Sequence, residues 1–237
     1  MHTEHQKVFD LFSANGGQFY VSPEAFLDKL HPIRAFIFDW DGVFNSAEKN
    51  NGSSPFNEVD SMGLNMLRFA HWLKKGQLPP VAIISGEQNS ASFLLGTREH
   101  LDACYYKINH KTDALTHFCS AHKLNPLEIA FVYDDILDIP LAQKCGLRFL
   151  IRRPGNSLFS NYIHSHQLAD YSTGAISGGY PVRECCEMMM GMNGSFELAL
   201  EERVRFSPQY KEYLRLRNSK ETSFYTRKDN DIIEQKP

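Results

Sequence analysis

"RAFIFDWDGVFNS", residues 34–46, decides the fold. Four apolar residues, Ala35, Phe36, Ile37 and Phe38, run straight into two carboxylates one residue apart, Asp39 and Asp41, followed by Gly42. An apolar run without polar alternation reads as a strand buried on both faces. A chain that leaves such a strand through acidic residues and a glycine presents those side chains at the sheet's edge. The carboxylates then either do chemistry or only cap the strand.

Similar runs recur at 80–84 (PVAII), 129–133 (IAFVY) and 147–151 (LRFLI). Between them lie segments with helical spacing. In 60–75, Met62, Leu64, Met66, Leu67, Phe69, Ala70 and Leu73 mark one broad face, and in 111–122 Ala114, Leu115, Phe118 and Ala121 do the same. Strands alternating with helices predict an α/β, Rossmann-like domain, a parallel sheet with helices on both faces. Residues 1–30 read as an N-terminal helical extension with helices at 4–14 and 23–30. The second is signalled by Ser22 as cap and Pro23 in its first turn. The main domain is expected over 31–205. From 206 to 237 apolar residues thin out and charges crowd in, which predicts a frayed, charged tail with one helix at 208–218.

The 237 residues suit one α/β domain with small additions. An apolar fraction of 42% supports a real core, and a net charge of −3 advertises no polyanion partner, so no nucleic acid is expected. Five cysteines without metal-ligand spacing read as thiols in a reducing compartment. No signal peptide is evident, and no run approaches the roughly 20 apolar residues that cross a bilayer. A cytoplasmic, soluble protein without a membrane partner is expected.

Ligands of open α/β sheets bind at the carboxyl ends of the strands. The residues collected there are Asp39 and Asp41, Ser85 and Gly86, Lys111 at the start of a helix, and Asp134, Asp135 and Asp138. Singly each has a plain structural reading. Asp-x-Asp-Gly is often a turn, Ser-Gly a loop, Lys111 a solvated lysine, and Asp134-Asp135 a helix cap. Together, clustered carboxylates call for a cation, and all-oxygen ligands suit Mg²⁺. A hydroxyl, backbone amides and a lysine beside them suit a phosphoryl group. The spacing of Asp39 and Asp41 places both carboxylates on one side of the departing chain. Trp40, Trp72 and the Met188–Met190 run read as packing. His110, beside Lys111, is the one histidine near this set.

Asp39-Trp40-Asp41-Gly42-Val43, Ser85-Gly86, Lys111 and Asp134-Asp135-Ile136-Leu137-Asp138 resemble, in order, the four motifs of the haloacid dehalogenase superfamily of phosphohydrolases. "FNEVDSMGLNML" (56–67) and "ISGGYPVREC" (176–185) are similar to stretches of its 3-deoxy-D-manno-octulosonate 8-phosphate phosphatase family, over about residues 34–192. The resemblance implies a Mg²⁺-dependent phosphatase. Asp39 would be the nucleophile, and Asp41 the acid and then the base. Asp39, Asp41 (through its backbone carbonyl) and Asp134 would hold the metal. Ser85, Gly86 and Lys111 would bind the phosphoryl group, Asp135 and Asp138 would support the metal, and Asn57 and Asp60 would meet substrate. Three positions where the family carries arginine differ: Glu87, Val59 and Tyr180. Each change removes a cation that could meet a sugar-acid carboxylate, and Glu87 opposes one. Tyr133 stands where glycine is usual and Asn45 where threonine is.

Only 43 residues, 42 to 84, separate Asp41 from Ser85, so no separate cap domain fits. The resembled family covers its open site with a neighbouring subunit, which implies a homotetramer with 48–58 as the projecting loop. The expected activity is hydrolysis of a small phosphorylated metabolite, a phosphorylated sugar acid being the default. The alternative is a non-catalytic relative that serves as an oligomerisation module for sugar-activating enzymes.

Overall fold

The run at 35–38 is the central strand of a nine-stranded sheet. A computed structural model describes residues 4–229 and 231–237. The chain opens with α1 (Glu4–Ala14), β1 (Gln18–Phe19) and α2 (Pro23–Leu30). There follow β2 (Ala35–Phe38), α3 (Glu58–Lys75), β3 (Val81–Ile84), α4 (Ser90–Glu99), β4 (Ala103–Tyr106) and α5 (Lys111–His122). Next come β5 (Ile129–Tyr133), α6 (Ile139–Ala142), β6 (Leu147–Arg152), α7 (Ser157–Ser165), β7 (Tyr171–Ile176) and α8 (Pro181–Met192). The last elements are α9 (Phe196–Val204), α10 (Pro208–Asn218), β8 (Ser223–Lys228) and β9 (Asp231–Glu234). The sheet order is β1-β7-β6-β5-β2-β3-β4-β8-β9, with only the outermost β1 and β9 antiparallel to their neighbours.

Period-two alternation sends successive residues of each strand to opposite faces. Phe36, Phe38, Val81, Ile83, Val132 and Phe149 face one core, where Leu64, Phe69, Met188 and Met189 of α3 and α8 cover them. Ala35, Ile37, Ala82, Ile84 and Phe131 face the other, under Ala114, Leu115 and Phe118 of α5. Both faces are therefore dry, as a parallel sheet requires. Trp40 and the Met188–Met190 run are buried in the first core, with Trp72 packed against it. All five cysteines are free and buried. No helix among the described residues is long and apolar enough to cross a membrane.

The expected N-terminal helices are present, and the Ser22 hydroxyl accepts from the Ala25 amide at 3.2 Å. The helix expected at 208–218 is α10. The frayed tail is corrected. Residues 223–228 pair in parallel with β4, and 231–234 fold back on them. Their apolar residues are few but well placed: Phe224 meets Phe93 edge-on and Tyr225 stacks on Tyr105. Some of the charges that suggest a solvated tail are partnered, Lys220 with Asp102 at 2.5 Å and Arg217 with Glu99 at 3.1 Å.

Candidate active site

Parallel strands β5, β2, β3 and β4 end on the same side of the sheet, and their carboxyl ends line a cleft of about 420 Å³. Asp39, Asp41, Ser85, Gly86, Lys111, Asp134, Asp135 and Asp138 all line it. Asp39 leaves β2 with its amide still in the ladder, donating to the Val132 carbonyl at 3.0 Å. Its neighbour in the sheet, β5, delivers Asp134 and Asp135 in the same way. The turn behind Asp41 depends on Gly42, whose φ is +87°. A Cβ there would lie 1.9 Å from Asp134 Oδ2, so glycine is required by both backbone and neighbour. Asn45 holds the turn closed. Its amide donates to the Trp40 carbonyl at 3.2 Å, and its Oδ1 accepts from the Gly42 and Ala47 amides at 3.1 and 2.9 Å.

Lys111 starts α5 and is almost fully buried. Its ammonium donates to Asp39 and, at 2.6 Å, to Asp138. The helix-start lysine is therefore an internal counter-ion and not a solvated one. The Ser54 hydroxyl donates to Asp41 at 2.7 Å, aiming that carboxylate from the long loop after β2. Ser85 is buried, and its Oγ accepts from the Glu87 amide at 3.2 Å. The capping reading of the aspartate pair applies to Asp135, whose Oδ1 accepts from the Ile136 amide at 2.8 Å. Asp134 faces the cluster.

No family model matches the chain. The 3-deoxy-D-manno-octulosonate 8-phosphate phosphatase of Salmonella typhimurium is 28% identical over 188 residues, covering 76% of this chain and 90% of that protein. A Legionella pneumophila protein described as a HAD superfamily (subfamily III A) hydrolase superposes with a TM-score of 0.64 at 26% identity, covering 77% of this chain and 95% of that one. A 3-deoxy-D-manno-octulosonate 8-phosphate phosphatase from Moraxella catarrhalis, solved with magnesium, phosphate and KDO, gives a TM-score of 0.63 at 19% identity, over 76% of this chain and 98% of that one. The fold is that of the haloacid dehalogenase superfamily. Within it, the chain resembles the 3-deoxy-D-manno-octulosonate 8-phosphate phosphatases.

In this haloacid dehalogenase fold the carboxylates crowd one another. Oxygens of Asp39, Asp134 and Asp138, all buried, lie within 4.8 Å of each other. Burial raises the Asp39 carboxyl above the usual carboxylate range against the pull of Lys111. Burial, then the Asp39 and Asp138 charges, raise Asp134 well above that range. Burial opposes the charge of Lys111, but Asp39 and Asp138 outweigh it and hold the ammonium protonated. Three hard oxygen donors that destabilise each other's charge fit a small divalent cation. The side chain of Asp41 lies outside this trio, and Asp138 lies inside it.

Two residues named with substrate stand apart. Asn57 caps α3 and lines a neighbouring cleft with Ser46, Lys49 and Gly178. Asp60 is wholly buried, where its carboxylate accepts from the Arg183 amide at 2.8 Å and the Asn57 amide group at 2.6 Å. It ties α3 to the start of α8 and has no surface to offer a ligand. Of the three arginine-replacing positions, only Glu87 lines the cleft, whereas Val59 and Tyr180 lie exposed on helix starts. Two polar lining residues, Asn109 and Arg153, are absent from the set collected from the sequence. Arg153 follows the carboxyl end of β6. The strand-end rule that found the aspartates finds it too, once applied to the run at 147–151.

Proposed function

We propose that the chain is a phosphomonoesterase acting through an aspartyl-phosphate on Asp39. The observation that carries this reading is the placement of Asp39 and Asp41 at the end of the central strand, with Lys111 bonded to Asp39 and Asp134 and Asp138 beside it. Asp39 attacks phosphorus, and the ester oxygen departs with a proton from Asp41. Asp41, now a carboxylate, takes a proton from the water that attacks phosphorus in the second step, and Asp39 is released with inorganic phosphate. Lys111, Ser85 and the Gly86 backbone face the phosphoryl oxygens, which spread negative charge in the transition state. Asp39, Asp134, the Asp41 carbonyl and, through the cluster, Asp138 would hold Mg²⁺. The ion's chemistry is to neutralise the carboxylates and the phosphoryl charge together. A positioning role for Asp135 follows from its cap of the 136–138 turn, which carries Asp138.

The substrate class is a small phosphorylated metabolite. A phosphorylated sugar acid is the first candidate, by likeness to the Salmonella phosphatase. Glu87 on the cleft wall works against a carboxylate nearby and favours a neutral portion of the leaving group there. The open cleft and the loop at 48–58 suit closure by a neighbouring subunit in a homotetramer, which size-exclusion with light scattering would test. The deciding assay is hydrolysis of p-nitrophenyl phosphate and a sugar-phosphate panel, with and without Mg²⁺, for the wild type and Asp39→Asn. Mg²⁺-dependent turnover that the substitution abolishes is expected. Absence of turnover by folded wild type across the panel would point to a non-catalytic module.

A further inference from the structure

Two cations line the cleft among the described residues, and they are held differently. Lys111 is buried, its side chain 6% exposed, and locked between Asp39 and Asp138. The Arg153 side chain is 26% exposed, and one nitrogen, Nη1, reaches Asp134 Oδ2 at 2.7 Å and Asp135 Oδ2 at 3.3 Å. Its backbone is set by β6, whose pairing with β7 shifts register between Leu150 and Arg152. Such irregularities re-aim side chains near sites. Here the preceding Arg152 turns to the Gly174 carbonyl on β7, while Arg153 turns to the cleft. Pro154 and Gly155 then turn the chain away.

Asp134 is thus claimed twice. It is one corner of the buried carboxylate trio, and it is the main partner of a guanidinium with a path to solvent. A divalent ion bound to that trio would sit within a few ångströms of the guanidinium, where like charges repel strongly in a poorly solvated site. We propose that Arg153 is an internal competitor for the divalent cation at Asp134. It occupies Asp134 Oδ2 in the metal-free protein and swings outward when the ion binds. The swing leaves a guanidinium at the cleft mouth, near the phosphoryl site. By reciprocity, an anion that pairs with the displaced arginine strengthens ion binding. The inference rests on the metal centre of the proposed function and adds a residue that sets its affinity.

The test is calorimetric titration of Mn²⁺ into the full-length wild type, Arg153→Gln, Arg153→Lys and Arg152→Gln, each checked for native circular dichroism. Arg152→Gln removes the same charge from the same strand end without touching the cleft. Arg153→Gln is expected to bind Mn²⁺ about ten-fold more tightly than wild type, because no ion pair has to break. Arg153→Lys should fall between, and Arg152→Gln should match wild type. Affinity in Arg153→Gln equal to that in Arg152→Gln overturns the competition and leaves the metal centre standing. Weaker binding overturns it in favour of a role in orienting Asp134. Absence of Mn²⁺ binding in every protein overturns both this inference and the proposed metal centre.

Discussion

Asp39 and Gly42 show how much a single position can determine. A carboxylate at the end of a buried strand has no water to spread its charge, so its neighbours decide its state. Lys111 and the partly exposed Arg153 do not balance Asp39, Asp134 and Asp138, which explains why burial and mutual repulsion leave two of them shifted upward. Gly42 permits this crowding, because any side chain there would strike Asp134. Gly42→Ala should therefore move the carboxylate and strain a φ of +87°. We expect turnover to fall on the order of 100-fold, from misplacement of the order of an ångström. Stability should drop by roughly 1 kcal/mol or more. Steady-state kinetics and urea unfolding measure the two effects, and a variant as active as wild type would show that Asp134 need not be fixed. Asp39 and Asp134 are legible in the sequence because each directly follows an apolar run. Arg153 is found by the same rule only as one of two adjacent arginines, and no local pattern tells which of the pair faces the cleft.

At the scale of elements, α3 and α8 pack side by side, and Asp60 joins them through the Arg183 amide. Burial lifts the Asp60 carboxyl to about 6 from an ordinary value of 3.8. Between those two values the folded protein holds a proton that the unfolded chain has released. Its contribution to stability is therefore full below about pH 4 and is lost as pH rises through about 6. Asp60→Asn does not titrate. Its stability relative to wild type should improve by roughly 2 kcal/mol on going from pH 4 to pH 7. Urea unfolding of both proteins at the two pH values gives this difference directly, and a constant gap would mean that Asp60 titrates in the fold as it does in the unfolded chain. The helix itself was readable from its apolar face. The role of Asp60 was not, because its partner is a backbone amide 123 positions away. Strand β4 escaped for a related reason. "ACYY" is short and has one aliphatic residue in four, and its strand character comes from pairing with β3 and β8 on either side.

For the whole molecule, the parallel body is closed by segments from the two ends of the chain. Antiparallel β1 covers β7, and β8 with β9 covers β4. The C-terminal pair reads as a tail because its apolar residues are few, Phe224-Tyr225 and Ile232-Ile233 among charges, and make sense only against the sheet. Removing residues 222–237 would uncover that strand's hydrogen-bonding edge and the contacts of Phe224 with Phe93 and Tyr225 with Tyr105. We expect a loss of roughly 2–3 kcal/mol, since Phe224 and Tyr225 are half-buried and each contributes a part of the about 1.5–3 kcal/mol of a fully buried aromatic. Association through the bared edge should accompany it. Chemical unfolding and light scattering test this, and a truncation with the stability and the particle size of the wild type would show that the added strands are ornamental. The closure also has a consequence in time. A ribosome makes β8 (Ser223–Lys228) roughly a hundred residues after β4 (Ala103–Tyr106), so the edge of β4 waits on the order of ten seconds for its partner. During that interval Ala103–Tyr106 offers an open template to any strand that passes. Chaperones and proteases that act on this protein during translation have their opening there.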